Sequence, residues 1–333
     1  MKKCLLTVCL IIAMLASVLP IVSAETNSTN NSEYDSQAVN FSLQLGLLSP
    51  NSDGELVLTQ SLTRAELASA LRKLINTPSL PEAKLSITDM ETDDPLYGDV
   101  AAAIYAGLFN PPESGMFRPN DPVFAYQIVS SILDILGYRP VIADNMDWAS
   151  AAKLGLLDEL SIGEMDVLSY GQAAKIFYNS MSVPMMIQPK YGDNKEYIVS
   201  DSARIYTEYW KASYASGVVN GNAKTELSTD NVTEKNHVLI DDKLYKIGST
   251  NADTLLGYKT EYWYTEDNTL LYIQKLEENS EMKINAADIA DTERNRLSFY
   301  NEKGNKKTVN FADGVDVIYN DRALFNYTAG DLK

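Results

Sequence analysis

The stretch "SLQLGLLSP" (42–50) ends a short apolar segment with a glycine that is followed by two leucines. Related stretches occur twice more, as "AIYAGLFNP" (103–111) and "AAKLGLLDE" (151–159). A glycine at this position supplies the left-handed residue that ends a helix, and the apolar pair after it can pack back on that helix. The recurrence therefore predicts one helical unit that is repeated three times.

A second helix is predicted after each glycine, beyond a turn-rich loop. These helices read "TRAELASALRKLI" (63–75), "FAYQIVSSILDILGY" (124–138) and "SYGQAAKIFYNSM" (169–181). Their apolar side chains recur at i, i+4 and i+7, so each helix has one apolar stripe. A single pair cannot bury its stripes alone, and we expect the three pairs to share a core. The stripes of the first two helices comprise Leu67, Leu71, Leu74, Ile128, Ile132 and Ile135.

Three such units in tandem resemble S-layer homology repeats. The residues that carry the resemblance are Gly46, Asp53-Gly54 and Thr63-Arg64-Ala65-Glu66 in the first unit, and Gly107, Gly115 and Phe117-Arg118-Pro119-Asn120 in the second. The resemblance covers residues 34–182, with repeats at about 34–77, 96–139 and 146–182.

The resemblance implies an all-α, pseudo-threefold bundle. In this family the grooves of the bundle bind anionic secondary polymers of the Gram-positive cell wall, which are often pyruvylated, without covalent attachment. It further implies a location at the cell surface of a clostridial-type bacterium. The resemblance is also compatible with a second partner, another copy of the same chain in a surface layer.

The helix start "TRAE" (63–66) contains two residues that helix initiation explains and one that it does not. Thr63 and Glu66 form a capping box, in which each side chain accepts the backbone amide of the other residue. The third repeat keeps such a box but has Tyr170 where the first has Arg64. We therefore expect the fold not to require Arg64.

Arg64 is the leading candidate for binding the polymer. It lies at a helix N-terminus, where the helix dipole disfavours a cation and favours an anion. A guanidinium and free backbone amides would together form a receptor for a carboxylate or phosphate. A solvated surface arginine is the alternative, and the resemblance favours the ligand role, with Thr63 and Glu66 beside Arg64.

The other repeats depart from this pattern. The second has Ala125 at the arginine position and is expected to start its helix with Asp121 as the cap and Pro122 as the first residue. In the third, Asp147 and Trp148 are further candidates, because an acid and an aromatic ring can bind a sugar, although Trp148 also suits the core. Only one of the three equivalent positions holds an arginine, so we expect a single molecule to bind the polymer weakly. Attachment through many copies would offset this weak binding.

Residues 1–24 are predicted to be a cleaved signal peptide. Lys2 and Lys3 precede an apolar run from Cys4 to Val22, and 22–24 is a small-residue cleavage site. We expect export, a polar linker at 25–33 and no membrane segment after cleavage. The net charge of −17 disfavours nucleic acid as a partner.

The second half changes from helical to alternating periodicity. Residues 183–199 are predicted to be a linker, and a helix is expected from Asp201 to about Ser213. Residues 200–333 would then form a small antiparallel β-rich domain, so the predicted fold class is α+β. This predicted β-rich domain resembles the β-rich part that follows S-layer repeats in some clostridial surface proteins. The sequence ends at "TAGDLK", which suits the front part of a longer chain. The predicted hairpins turn at Asp241-Asp242, Glu266-Asp267-Asn268 and Lys303-Gly304-Asn305.

No catalytic motif is evident. His237 is the single histidine, no G-x-S-x-G accompanies it, and both cysteines lie in the predicted signal peptide. The Asp-rich turns at 88–94 and 265–268 offer carboxylates for Ca²⁺ but lack the spacing of a calcium loop. No motif therefore supports Ca²⁺, and no cofactor is expected.

The leading hypothesis is therefore a non-enzymatic surface protein that is anchored to wall polysaccharide and displays its β-rich domain. A wall-anchored, polysaccharide-active enzyme is the alternative, with its catalytic part in the β region or in a C-terminal continuation.

Overall fold

The computed structural model describes residues 34–51, 54–82, 85, 87–110, 115–189, 196–227, 229, 231–312, 315–324 and 328–331. The predicted signal peptide (1–24), the polar linker (25–33) and Asp53 lie outside these residues. The described chain divides into two compact units, one that ends at Ser213 and one that begins at Tyr214. It combines α-helices with small antiparallel sheets and is therefore a mixed α and β chain.

Several helices of the first unit end at a glycine. Gly46, Gly107 and Gly155 have φ angles of 65°, 77° and 80°, and the leucine after each glycine donates its amide back to the preceding helix. The predicted helix ends are thus confirmed, because glycine adopts this left-handed conformation without steric cost. The helices are α1 (Ser36–Gln44), α2 (Arg64–Leu74), α3 (Tyr97–Tyr105), α4 (Ala125–Ile135), α5 (Asp147–Lys153), α6 (Tyr170–Ser182) and α7 (Ile205–Tyr209).

Two of the longer helices begin with a capping box. Thr63 Oγ1 accepts the amide of Glu66 at 3.4 Å, and Glu66 Oε2 accepts the amide of Thr63 at 2.9 Å. Ser169 and Gln172 repeat this arrangement before α6. Both predicted boxes are confirmed.

The start of α4 differs from the prediction. The helix begins at Ala125, so the expected start with Asp121 as the cap and Pro122 as the first residue is wrong. Pro122 lies instead in a β-bridge to the neighbouring repeat. Phe124 stands at the cap position without a side-chain acceptor, and only the Gln127 half of the box remains, with Oε1 accepting the Phe124 amide at 2.9 Å.

A ring of three backbone hydrogen bonds joins the loops before α2, α4 and α6. Leu62 donates to Leu168 at 2.9 Å, Leu168 donates to Val123 at 2.9 Å, and Val123 donates to Leu62 at 2.8 Å. The first two amides of each of these helices also donate to the loop of a neighbouring repeat. These bonds satisfy amides that a helix leaves unpaired at its N-terminus. The three helix starts therefore meet at one end of the unit.

Helix packing crosses the predicted repeat boundaries. α2 packs against α3, α4 packs against α5, and α6 packs against α1 at the beginning of the chain. The six predicted stripe residues of α2 and α4 are all buried, and none is more than 4% exposed. Burial of each such side chain stabilises the fold by about 2 kcal/mol, so the stripes account for much of the helical core.

The described residues of 183–213 (183–189 and 196–213) pack on the other end of this unit. The Met186 amide donates to the Leu136 carbonyl at 2.8 Å, and the Trp210 indole nitrogen donates to the Leu74 carbonyl at 2.9 Å. These contacts satisfy carbonyls at the C-termini of α4 and α2. The described part of the predicted linker is thus docked, and α7 is shorter than the helix that was expected from Asp201 to Ser213.

The second unit consists of antiparallel strands. The strands of the chain are β1 (Met186–Ile187), β2 (Ile198–Val199), β3 (Ser213–Gly221), β4 (His237–Ile240), β5 (Lys243–Lys246), β6 (Lys259–Tyr264), β7 (Leu270–Lys275), β8 (Ile289–Glu293), β9 (Arg296–Tyr300), β10 (Lys306–Asn310), β11 (Val317–Tyr319) and β12 (Arg322–Leu324). All three predicted hairpins are confirmed, as β4–β5, β6–β7 and β9–β10. β1 and β2 pair within the first unit.

A five-stranded sheet of order β5-β4-β3-β6-β7 is the largest part of the second unit. A parallel bridge between Lys246 and Thr269 brings the two edges of this sheet together at one point. Apolar and tyrosine side chains such as Val238, Tyr262 and Ile273 fill its interior. A smaller three-stranded sheet, β10-β9-β8, has its own cluster around Leu297.

Candidate functional site

Arg64 is held between two aromatic rings at the first position of α2. Its guanidinium carbon lies 5.1 Å from the ring centroid of Phe117 and 5.5 Å from that of Phe109, which are cation–π distances. Its Nε donates to the Phe117 carbonyl at 3.0 Å. Among the described residues, neither terminal guanidinium nitrogen has a hydrogen-bond partner. The half-buried side chain is thus held in one orientation, and its two terminal nitrogens can still donate to a ligand.

The loop that receives Arg64 is fixed by a distant carboxylate. Asp89 accepts the Phe117 amide at 2.8 Å and the Arg118 amide at 2.7 Å. This holds Arg118 in a left-handed conformation, with φ of 60°. The sequence offered no local signal for Asp89, because the bonds span a long separation along the chain.

Burial dominates the electrostatics of Arg64. Desolvation lowers the pKa of the guanidinium, although the negative charge of Asp121 acts in the opposite direction. Arg118, which is exposed, adds a second positive charge nearby. An anion bound at Arg64 would restore the favourable interactions that desolvation removes.

The structure corrects the predicted receptor in one respect. The amides at the start of α2 are not free, because Arg64 donates to the Asp121 carbonyl and Ala65 donates to the Pro119 carbonyl, both at 3.0 Å. The Glu66 amide is used by Thr63. The guanidinium alone is therefore available to a ligand. It also contacts Phe117, and that the fold does not require Arg64 stays a prediction.

Tyr170 occupies the corresponding first position of α6 and is used differently. Its hydroxyl donates to Glu66 Oε1 and accepts from Gln60 Nε2 at 3.4 Å. Burial and the bond to Glu66 raise the pKa of Tyr170. Glu66 therefore links the first and third repeats, in addition to its role in the capping box.

A cavity of about 200 Å³ lies beside α2. One cation lines it: Lys73, whose Nζ donates to the Gly46 carbonyl at 2.6 Å and whose pKa is lowered by burial. Lys73 was not among the residues predicted from the sequence, although it follows Glu66 and Ser69 at i+7 and i+4 and so shares their helix face. The cavity is lined by Leu47, Leu48, Ser49, Pro50, Asn51, Glu55, Val57, Gln60, Glu66, Ser69, Lys73, Leu96 and Tyr170.

Comparison with protein families adds one match to this geometry. Residues 86–123 match the family described as the S-layer homology domain. This segment is similar to an S-layer homology domain, and the match covers a small part of the chain. The matched segment includes Asp89, Phe109 and Phe117, so the residues that hold Arg64 lie within it, whereas Arg64 itself does not. No curated protein matches the chain.

The S-layer homology domain implies a location at the cell surface and supports anchoring at the cell wall. These domains bind secondary cell-wall polysaccharide, which makes the wall the supported partner. Within the described residues, no helix is long and apolar enough to cross a membrane. The same residues contain no group of three or more His, Cys, Asp or Glu side chains that could hold a metal ion.

Asp147 is engaged by a neighbouring arginine. Its two carboxylate oxygens lie 2.8 Å and 2.9 Å from Arg139 Nη1, and Arg139 also bonds to Ser130. Asp99 in the S-layer homology domain stands, like Asp147, eight residues before a helix-ending glycine, and it is contacted by Arg72. The two acids therefore support the junctions between repeats, and a role of Asp147 in polymer binding stays a prediction.

Trp148 is half-buried at the start of α5. The corresponding residue in the S-layer homology domain is Val100, which is completely buried. Trp148 thus combines a core position with an exposed edge, and the structure does not bring it together with Arg64.

Proposed function

We propose that the chain is an exported protein that binds anionic secondary cell-wall polysaccharide through its helical unit, without covalent attachment. The observation that carries the proposal is the Arg64 guanidinium, which is oriented by the S-layer homology domain and keeps two nitrogens free of partners among the described residues. A carboxylate, such as the one that a pyruvyl ketal carries, is a planar acceptor that such a guanidinium can bind through two parallel hydrogen bonds.

The proposed scaffold is a pseudo-threefold bundle of the three repeats. The cyclic bonds among Leu62, Val123 and Leu168 support it, as does the packing of α6 back on α1. In such a bundle each junction between repeats offers one groove. We propose that the groove at Arg64 is the principal anion site, since the equivalent positions hold Ala125 and Tyr170.

Lys73 is proposed as a second cationic contact for the polymer. Its Nζ uses one of three protons on the Gly46 carbonyl and retains two more for a ligand. The cavity beside it has room for part of a sugar residue, because its volume is about 200 Å³. Arg64 does not line this cavity, so Lys73 would be a separate contact for the polymer.

A single site of this kind binds weakly, so attachment would depend on several copies acting together. We therefore propose self-association of the protein on the wall, with the β-rich unit displayed outward. We further propose that the chain is not an enzyme and requires no cofactor.

The test is a pull-down of the full chain with Gram-positive sacculi that carry pyruvylated secondary polymer. We expect Arg64→Ala to reduce binding by about tenfold, as expected for loss of a charge-assisted bidentate contact. Arg322→Ala removes the same charge from an exposed strand of the β-rich unit and should leave binding unchanged.

The same experiment includes sacculi from which the polymer has been chemically removed. Equal binding to intact and stripped sacculi would contradict the proposed partner. Equal binding by Arg64→Ala and the native chain would instead exclude Arg64 as the anion site.

A further inference from the structure

The second repeat places an aromatic residue where the other repeats place a cap. Thr63 and Ser169 accept a backbone amide at the starts of α2 and α6, whereas Phe124 at the start of α4 has no acceptor to offer. A polar residue at this position stabilises a helix, so phenylalanine is unfavourable for helix initiation. This local disadvantage points to a use for the ring outside the helix.

Phe124 forms a flat surface with Tyr126. The two ring centroids are 6.3 Å apart, and the ring planes differ by 17°, which is an offset stacked arrangement. Tyr126 is 40% exposed, whereas the equivalent residues Ala65 and Gly171 are small and buried. The second repeat has therefore gained an exposed aromatic surface that the other repeats lack.

Neighbouring side chains extend this surface. Val167 forms a β-bridge with Phe124 and is 41% exposed, and Met165 is 67% exposed. The exposed acid Glu164 accepts the Tyr126 amide through its backbone carbonyl at 3.0 Å, which brings its chain to the edge of the rings. The surface thus has an apolar centre, and the backbone of an exposed acidic residue lies at its edge.

This surface is continuous with the Arg64 site. The Arg64 amide donates to the Asp121 carbonyl at 3.0 Å, and Asp121 precedes Phe124 by three residues. Thr63, the residue before Arg64, forms a β-bridge with Pro122, two residues before Phe124. A polymer that places an acidic group on Arg64 would therefore pass over Tyr126 and Phe124.

We propose that Phe124 and Tyr126 form a subsite for an uncharged pyranose unit of the polymer, next to the anionic unit at Arg64. This inference rests on the proposed function. The apolar face of a pyranose matches stacked aromatic rings, and carboxylates such as Glu164 and Asp121 accept sugar hydroxyls. Those same carboxylates would repel a second anionic unit, so the neighbouring sugar is uncharged.

A second copy of the chain is a poorer fit for the surface. A stable protein interface buries about 800 Å² on each partner, which is far more than four side chains can supply. A single sugar ring requires only an area comparable to one aromatic pair. The geometry therefore favours the sugar.

The decisive variant is Phe124→Thr, which removes the ring and introduces the capping residue of the first repeat. Soluble polymer fragments from the same sacculi serve as the probe, intact or with their ketal-linked acidic groups removed by mild acid. We expect Phe124→Thr to bind both kinds of fragment about tenfold more weakly, at an unchanged or higher melting temperature. Arg64→Ala should weaken binding of the intact fragments only.

Tyr126→Ala is the second variant and should repeat the loss on both kinds of fragment. One contrary outcome is that Phe124→Thr and Tyr126→Ala bind the fragments with native affinity while Arg64→Ala loses binding. That result would overturn the subsite but would leave the proposed function standing. Failure of the native chain to bind any fragment would overturn both. If the two variants sediment differently from the native chain but bind the sugar with native affinity, a second copy is the occupant and the subsite is overturned.

Discussion

Arg64 and Tyr170 stand at the first position of two helices that begin with the same capping box. Arg64 reaches the second repeat, where it binds the Phe117 carbonyl and leaves part of its guanidinium without a partner among the described residues. Tyr170 reaches the first repeat, where its hydroxyl is used by Glu66 and Gln60. The junction at Arg64 thus retains donors for a ligand, whereas the polar group of Tyr170 is used within the chain.

The difference shows that the first helical position faces the neighbouring repeat. In all three repeats its backbone amide is used by that neighbour, so only the side chain of this residue can be available to a ligand. The third repeat is also tied to the beginning of the chain. Lys175 bonds to Asp35 at 2.6 Å and to Glu159, and it is almost completely buried.

The largest effect is expected from removal of the Lys175 side chain, which ties the third repeat to the beginning of the chain. Lys175→Ala would leave the Asp35 carboxylate without its partner, and removal of one member of a buried pair costs about 3 kcal/mol. Chemical denaturation of the full chain would measure this loss. The control is Glu159→Gln, which removes the exposed partner, and it should change the free energy of unfolding by less than about 0.5 kcal/mol. Equal losses in the two variants would contradict the role of Asp35.

Acid should reproduce part of this loss. Burial raises the pKa of Asp35, but hydrogen bonds from Lys175 and from the amides of Gln37 and Ala38 outweigh it, so the net pKa lies below 3.8. The carboxylate therefore stabilises the fold at pH values above 3.8, and this contribution disappears as the pH falls through the lowered pKa. In Lys175→Ala the acid-dependent loss should be smaller than in the native chain.

A smaller effect is expected from Tyr170→Phe. This change removes the hydroxyl that donates to the Glu66 carboxylate, and a hydrogen bond to a charged group contributes about 1.5 kcal/mol. Thermal and denaturant unfolding would both report the loss. Tyr105→Phe is the matched control, because Tyr105 is 64% exposed, and its stability should stay native. A native stability for Tyr170→Phe would show that the bond to Glu66 contributes nothing net.

The helix ends and caps could be predicted because they depend on neighbours in sequence. Gly107 ends α3, and Thr63 and Glu66 start α2, through contacts within a few residues. The start of α4 was predicted wrongly, since Pro122 carries a local signal for a first helical turn but is held in a bridge to another repeat. Tertiary pairing overrode local propensity there.

The candidate site was predictable only in part. Arg64 stands out because two sister repeats lack it at that position. The contacts that define its surroundings come from Asp89 and Phe117, far along the chain, and no periodicity indicates them. Likewise, a Cβ at Gly171 would lie 2.2 Å from the Tyr34 ring, so this glycine serves close packing that the sequence does not reveal.

The smallest change in stability, and the most direct test of the comparison, is expected from Tyr170→Arg. The cavity beside Tyr170 gives the longer side chain room, and the new guanidinium can bind Glu66 in place of the lost hydroxyl. We therefore expect the free energy of unfolding to change by less than about 1 kcal/mol.

Binding separates this variant from a neutral replacement. An arginine shared with Glu66 still has donors left over, because a guanidinium carries five N–H groups. The third junction would then resemble the first, and we expect sacculus binding to increase about threefold through a second site on each molecule. Tyr170→Lys is the matched control, since it adds the charge without the planar fork and should increase binding less. Unchanged binding by Tyr170→Arg would mean that the contacts of Arg64 with Phe109 and Phe117 matter more for binding than the arginine itself.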